Sequence, residues 1–231
     1  MAIGSHIFLL QFSKMCYNIT MKTKKLSKGK IALIIIASII AFVIITSFFI
    51  CLITSNVNYK KNKAYLEEMS FSGLIYNQSS FPDYKYGLGT LAKNGCGAAS
   101  VYNILELEGK NPSLLDITKR FDLEGQNLFG ILGTRILAVK HYLEKEGFDV
   151  DVYRHDEDFD ELAKNSKYAI LYYVIPSRTI GHFQLMYDYN EYDGTYQMLD
   201  PYYRGTMQGE FDYIGSDFAI TFLITVNDKV E

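Results

Sequence analysis

The unbroken apolar run from Ile31 to Ile53, which holds no charged side chain, constrains this chain more than any other feature. At about 1.5 Å of rise per helical residue it reaches about 34 Å, enough to cross a hydrocarbon core of about 30 Å. It reads as a transmembrane helix. The 231 residues then divide into a basic tail over 1–30, a span over 31–53, a polar stalk over 54–80 and a folded domain over 81–231. Within the stalk only Lys63 to Met69 carries a helical pattern. Met21 opens Met-Lys-Thr-Lys-Lys-Leu, the kind of start a signal-anchor protein has, so a true start at Met21 stands beside a longer cytoplasmic tail.

Charge orients the span. Lys14, Lys22, Lys24, Lys25, Lys28 and Lys30 precede it unopposed, because no Asp or Glu occurs before Glu67. The positive-inside tendency keeps such an N-terminus in the cytoplasm and sends the domain out of it. A cleaved secretory signal is the competing reading. It wants an apolar region of about 7–15 residues followed by small residues, whereas this run is longer and Phe49 and Ile50 stand directly before Cys51. An uncleaved single-pass anchor in the cell membrane is therefore expected. With 26 acidic against 23 basic residues, a polybasic nucleic-acid binder is excluded.

Of three cysteines, Cys16 lies in the tail, Cys51 in the apolar run and only Cys96 in the domain. A disulfide framework within the domain is ruled out, as is a site built on paired thiolates. Cys96 sits in Asn94-Gly95-Cys96-Gly97-Ala98-Ala99, just ahead of Ala98, Val101, Ile104 and Leu105 at helical spacing. A helix N-terminus favours the thiolate that a nucleophile needs. The flanking glycines let a carbonyl approach the backbone, where the Cys96 N–H supplies half of an oxyanion hole. The plainer alternative is a small apolar residue packed at a helix start.

Further helices are expected over Ser113 to Phe121, Leu132 to Glu146 and Asp156 to Asn165. Strands follow over Val150 to Tyr153, Tyr168 to Ile175, His182 to Tyr189, Thr195 to Leu199 and Phe218 to Val226. Helices first and strands second, with no βαβ alternation, indicate an α+β fold with a helical layer against an antiparallel sheet.

Among the histidines, His6 is in the tail, His141 in a helical pattern and His155 among acidic residues; His182 follows Gly181 at the opening of a strand. Asp200, before Pro201, ends the next strand and is placed to hold the histidine tautomer. Two registers are open. A five-residue loop over Asn190 to Gly194 faces Tyr189 with Thr195 and Gln184 with Asp200, leaving His182 on the same face as Asp200, one diagonal step away. A two-residue Asp193-Gly194 turn puts the two side chains on opposite faces.

Asn94-Gly95-Cys96-Gly97-Ala98-Ala99, Gly181-His182-Phe183 and Leu199-Asp200-Pro201, in that order, resemble the papain-like cysteine peptidases of family thirty-nine, especially the stand-alone relatives of the bacteriocin-leader peptidases. The resemblance spans about Asp83 to Val226. It implies a papain-like fold with Cys96 as nucleophile, His182 as base and Asp200 as orienting residue. It also implies a glutamine about six positions before the cysteine as second oxyanion donor. Thr90 stands there instead, the nearest glutamine is the distant Gln78, and Asn94 is the substitute candidate. The expected protein is a membrane-anchored, extracytoplasmic thiol hydrolase, a peptidase acting on a peptide or surface protein without metal or organic cofactor. A catalytically dead peptide-binding domain and a wall-directed amidase or transglutaminase-like acyltransferase are the alternatives.

Overall fold

The structure is a computed structural model that describes residues 27–126, 128–130, 133–154, 157–175, 180–201, 205–209 and 220–229. The basic tail as far as residue 26, with its possible start at Met21, His6 and Cys16, falls outside the described residues, as does His155. The chain forms two compact units, Met1–Ser47 and Phe48–Glu231.

In the first unit the described chain is the opening half of helix α1 (Lys28–Met69). Its apolar side chains are bare, with Leu33 and Phe42 each 71% exposed. Helix α1 is long and apolar enough to cross a membrane.

The second unit departs from expectation at its start. The polar stretch read as a stalk is helical well beyond Lys63 to Met69: α1 runs through it to Met69, and Ser55, Asn58 and Asn62 are buried. Spaced by three and four residues, they share one helical face. Ser55 Oγ donates to Lys119 O at 3.2 Å, and Asn62 Nδ2 to Lys85 O at 2.8 Å. Periodicity of apolar residues misses such a face because polar side chains make it.

A hairpin of β1 (Lys85–Tyr86) and β2 (Gly89–Thr90) leads into the one-turn helix α2 (Leu91–Asn94) and then α3 (Cys96–Leu107). Helix α4 (Leu114–Glu124) starts where Ser113 Oγ accepts the Asp116 N–H, and α5 (Ile136–Lys145) is shorter at both ends than the sequence pattern. Then come β3 (Phe148–Arg154), α6 (Phe159–Lys164), β4 (Tyr168–Ile175), β5 (Ile180–Asn190), β6 (Thr195–Asp200), β7 (Gly205–Gly209) and β8 (Ile220–Asp228). Strands β3 to β8 form one antiparallel sheet in the order β3-β8-β4-β5-β6-β7. This is the expected α+β architecture. Strand β7, with glycine at both ends and little β-branching, carries no strand signal in the sequence.

Two clusters of buried side chains flank the sheet. Ile104 and Val101 of α3, Ile117 and Phe121 of α4 and Leu143 of α5 pack on Ile170, Phe183, Leu185 and Leu199. Leu171, Tyr173, Met186 and Met198 point the other way and are covered by Phe159 and Ala163 of α6. The period-2 alternation of strands produces this division.

Candidate active site

Cys96 is the first residue of α3, and only 5% of its surface is accessible. Gly95 at the N-cap offers no side-chain acceptor, so the first amides of the helix are uncapped. These N–H groups and the positive end of the helix dipole suit an anion at Cys96. Close packing requires Gly97: a Cβ there would lie 2.7 Å from Thr134 Cβ and 3.2 Å from Phe183 Cε2.

Strands β5 and β6 deliver the other two residues. Leu185 faces Leu199, Met186 faces Met198 and Tyr187 faces Gln197. Continued to the strand end, this register sets Gln184 opposite Asp200 and His182 diagonal to it, the arrangement of the long-loop alternative. One detail differs. Asn190, not Tyr189, faces Thr195, because the register shifts between Tyr187 and Asn190. There Asp188 and Tyr189 oppose Tyr196 alone, a β-bulge with Asp188 at φ 51°. The bulge absorbs the residue that the shorter loop leaves over, and the side chains that follow keep their faces.

His182 Nε2 lies 2.8 Å from Asp200 Oδ1, with His182 4% and Asp200 1% exposed. Burial acts to lower the His182 pKa. Hydrogen bonds to Asp200 and to Cys96, together with the charge of both, outweigh burial and push it up to about 9. With Nε2 engaged by Asp200, Nδ1 is the nitrogen left to meet the sulfur. The Tyr173 ring stands edge-on to His182 at 5.3 Å between centroids, and Tyr172 lies over Gly181, where a Cβ would sit 2.3 Å from its phenol oxygen. Burial, then the nearby Cys96 charge, raises the Tyr172 pKa. The three residues singled out in the sequence are thus gathered at one point, while His141 lies apart on α5, facing a groove.

That groove, of about 1080 Å³, lies between α4 and α5 and is lined by Phe121, Arg135, Ile136, Leu137, Tyr142 and Tyr172. Among the described residues, no group of three or more His, Cys, Asp or Glu side chains is placed to hold a metal ion.

Two amide side chains lie around the helical turn that precedes Cys96. The Asn94 side chain turns back toward the hairpin, its Nδ2 lying 2.7 Å from where a Cβ of Gly89 would be. Gln78, 1% exposed, donates from Nε2 to Ala92 O at 3.0 Å, while its backbone N–H donates to Pro201 O at 2.7 Å. It therefore bridges the turn before the cysteine and the residue after Asp200. Sequence spacing passes over Gln78 because the hairpin intervenes: Leu91 N–H donates to Tyr84 O, so the chain leaves and returns to one place.

No family model and no curated relative matches the chain. Solved structures do. The peptidase domain of Streptococcus ComA, a bifunctional ABC transporter of a quorum-sensing pathway, is similar with TM-score 0.44 and 16% identity over 58% of this chain and 91% of that one. A double-glycine-motif protease from an AMS/PCAT transporter, solved with its leader peptide, gives 0.42 and 17% over 68% and 97%. The peptidase C39 like domain of the toxin secretion ATP-binding protein from Vibrio parahaemolyticus gives 0.37 and 10% over 59% and 98%. These are of the same kind as the family that the sequence motifs resemble.

Proposed function

We propose that this protein is a membrane-anchored cysteine peptidase whose domain faces out of the cytoplasm. The observation that carries the reading is His182, buried, 2.8 Å from Asp200 Oδ1 and near enough to Cys96 for the sulfur to help raise its pKa. In the reaction, Cys96 Sγ attacks a peptide carbonyl carbon and the His182 imidazolium gives its proton to the departing amine, which leaves a thioester. Water, losing a proton to His182, then cleaves the thioester to release the acid and restore the thiolate–imidazolium pair. The Cys96 N–H holds the oxyanion. The second donor is an amide side chain, Asn94 or Gln78, and burial favours Gln78, whose amide has a second hydrogen beyond the one given to Ala92 O. The groove shares Tyr172 with the surroundings of Cys96 and gives room for the rest of a peptide or surface-protein substrate.

The test uses the full chain in detergent micelles, a mixed fluorogenic peptide library and iodoacetamide. Wild type should hydrolyse part of the library and be alkylated at Cys96, with both lost in Cys96→Ala and hydrolysis lost in His182→Ala. Alkylation without any hydrolysis would favour a peptide-binding domain over a peptidase. Hydrolysis that survives Cys96→Ala would overturn the assignment.

A further inference from the structure

Asp122 is 5% exposed, and every hydrogen bond given to it comes from a neutral donor. Its Oδ2 accepts from Asn58 Nδ2 of α1 at 2.7 Å, and its Oδ1 accepts from Gly87 N at 2.8 Å and from Gln126 Nε2. Asn58 Nδ2 also donates to Gly87 O at 2.9 Å. Three converging donors require an acceptor with no hydrogen of its own, and a carboxylate meets that requirement where an amide fails. With an asparagine at this position, one NH₂ group would face another. Turning Asn58 over to accept would then set its carbonyl against Gly87 O.

The groups that Asp122 holds lead to the nucleophile. Gly87 follows Tyr86, whose hydroxyl lies 2.6 Å from Thr134 Oγ1, and Gln126 is bridged to Thr134 through the backbone. Leu88 N–H donates to Phe129 O at 2.9 Å, joining the hairpin to the same loop. Thr134 in turn packs against Gly97, the residue after Cys96. Tyr86 is itself near enough for the Cys96 charge to act on its phenol. The buried carboxylate therefore grips α1 with one oxygen and the wall behind Cys96 with the other.

We propose that Asp122 is a positioning residue that makes the docking of α1, through Asn58, a condition for a competent Cys96. The helix that begins in the apolar run is then part of the site's scaffold rather than a tether. This rests on the reading of Cys96 as the nucleophile.

The experiment measures iodoacetamide alkylation of Cys96 at pH 7 in the full chain, about 10 °C below the lowest unfolding midpoint of the set. The set is wild type, Asn58→Leu, Asp122→Asn, Gln126→Leu and Ser55→Ala. Ser55→Ala removes a bond between α1 and Lys119 O without touching the Asp122 network, so it reports on docking strength alone. Asn58→Leu and Asp122→Asn should slow alkylation at least fivefold and the milder Gln126→Leu at least twofold. Ser55→Ala should lower the midpoint and leave the rate as in wild type. If the network variants lower the midpoint yet keep the wild-type rate, Asp122 is merely structural and the proposal falls. Should Asn58→Leu and Asp122→Asn fail to fold, an unchanged rate in Gln126→Leu has the same force. A wild-type Cys96 that does not react at all would instead bring down the nucleophile reading on which the proposal stands.

Discussion

Replacing Asp200 by Asn separates a charge that holds the base from a residue that merely ends a strand. The carboxylate oxygen is 2.8 Å from His182 Nε2, and both side chains are almost wholly buried. The rise of the His182 pKa from 6.5 to about 9 corresponds to about 3 kcal/mol in favour of the imidazolium, supplied against burial by Asp200 and Cys96. The amide keeps the shape and loses the charge, so it lowers the pKa. An NH₂ turned toward Nε2 would in addition favour the tautomer with its hydrogen on Nδ1, the nitrogen that must face the sulfur. Turnover should fall at least about tenfold, equivalent to about 1.4 kcal/mol. With only four histidines in the chain, ¹⁵N NMR titration can follow His182 directly, its signal identified by loss in His182→Gln. Wild type should titrate near 9, and Asp200→Asn at a lower pH. Because the folded pKa lies above the unfolded one, this group's stabilisation is complete below about 6.5 and is lost as pH rises through about 9. The thermal midpoints of both proteins should therefore begin to fall near pH 6.5, and that of Asp200→Asn should stop falling at lower pH than that of wild type. Identical titration curves in the two proteins, or a wild-type value near 6.5, would refute the reasoning.

Asp122 gives a pH dependence of the same direction at lower pH. Burial raises its pKa from 3.8 to about 6 against the hydrogen bonds from Asn58, Gly87 and Gln126, so its contribution is most favourable below about 3.8 and is lost as pH rises through about 6, a difference of about 3 kcal/mol. Denaturant unfolding of wild type and Asp122→Asn between pH 4.5 and pH 7 should show this slope in wild type alone. Gly97→Ala should destabilise by about 1–3 kcal/mol through overpacking on Thr134 and Phe183, read as a lower urea midpoint. Gln78→Ala should cut kcat more than it raises KM if the amide serves the oxyanion, since such a donor acts mainly in the transition state. For topology, protease added to intact cells should digest the domain while an N-terminal tag stays protected; a protected domain would reverse the proposed orientation.

The parts of the fold that were legible in the sequence are those that bury apolar side chains at a regular period. Val101, Ile104 and Leu105 mark α3, the run Tyr168 to Ile175 marks β4 to its ends, and Ser113 marks the start of α4 through its hydroxyl. Cys96, His182 and Asp200 were legible for a related reason. Cys96 opens α3 and Asp200 closes β6, while His182 is the third residue of β5, so each stands at or near a point where a helix or strand signal switches on or off. What the sequence did not reveal is held by polar side chains. Ser55, Asn58 and Asn62 dock a helix through backbone carbonyls and a buried carboxylate, and a hydrophobic pattern treats such residues as solvated.

Gln78 shows the same limit at the site itself. Counting back from Cys96 assumes that the chain progresses steadily, but Tyr84 and Leu91 are hydrogen-bonded neighbours, so the hairpin between them adds length and almost no distance. A buried glutamine whose backbone is tied to Pro201 and whose amide is tied to Ala92 is fixed relative to both the aspartate and the cysteine, whatever its number in the chain. The loop length between His182 and Asp200 carries the same lesson in reverse. The turn is one residue shorter than the long-loop reading, yet the bulge at Asp188 restores the register. The two side chains meet because sheet parity, not loop length, decides which face each occupies.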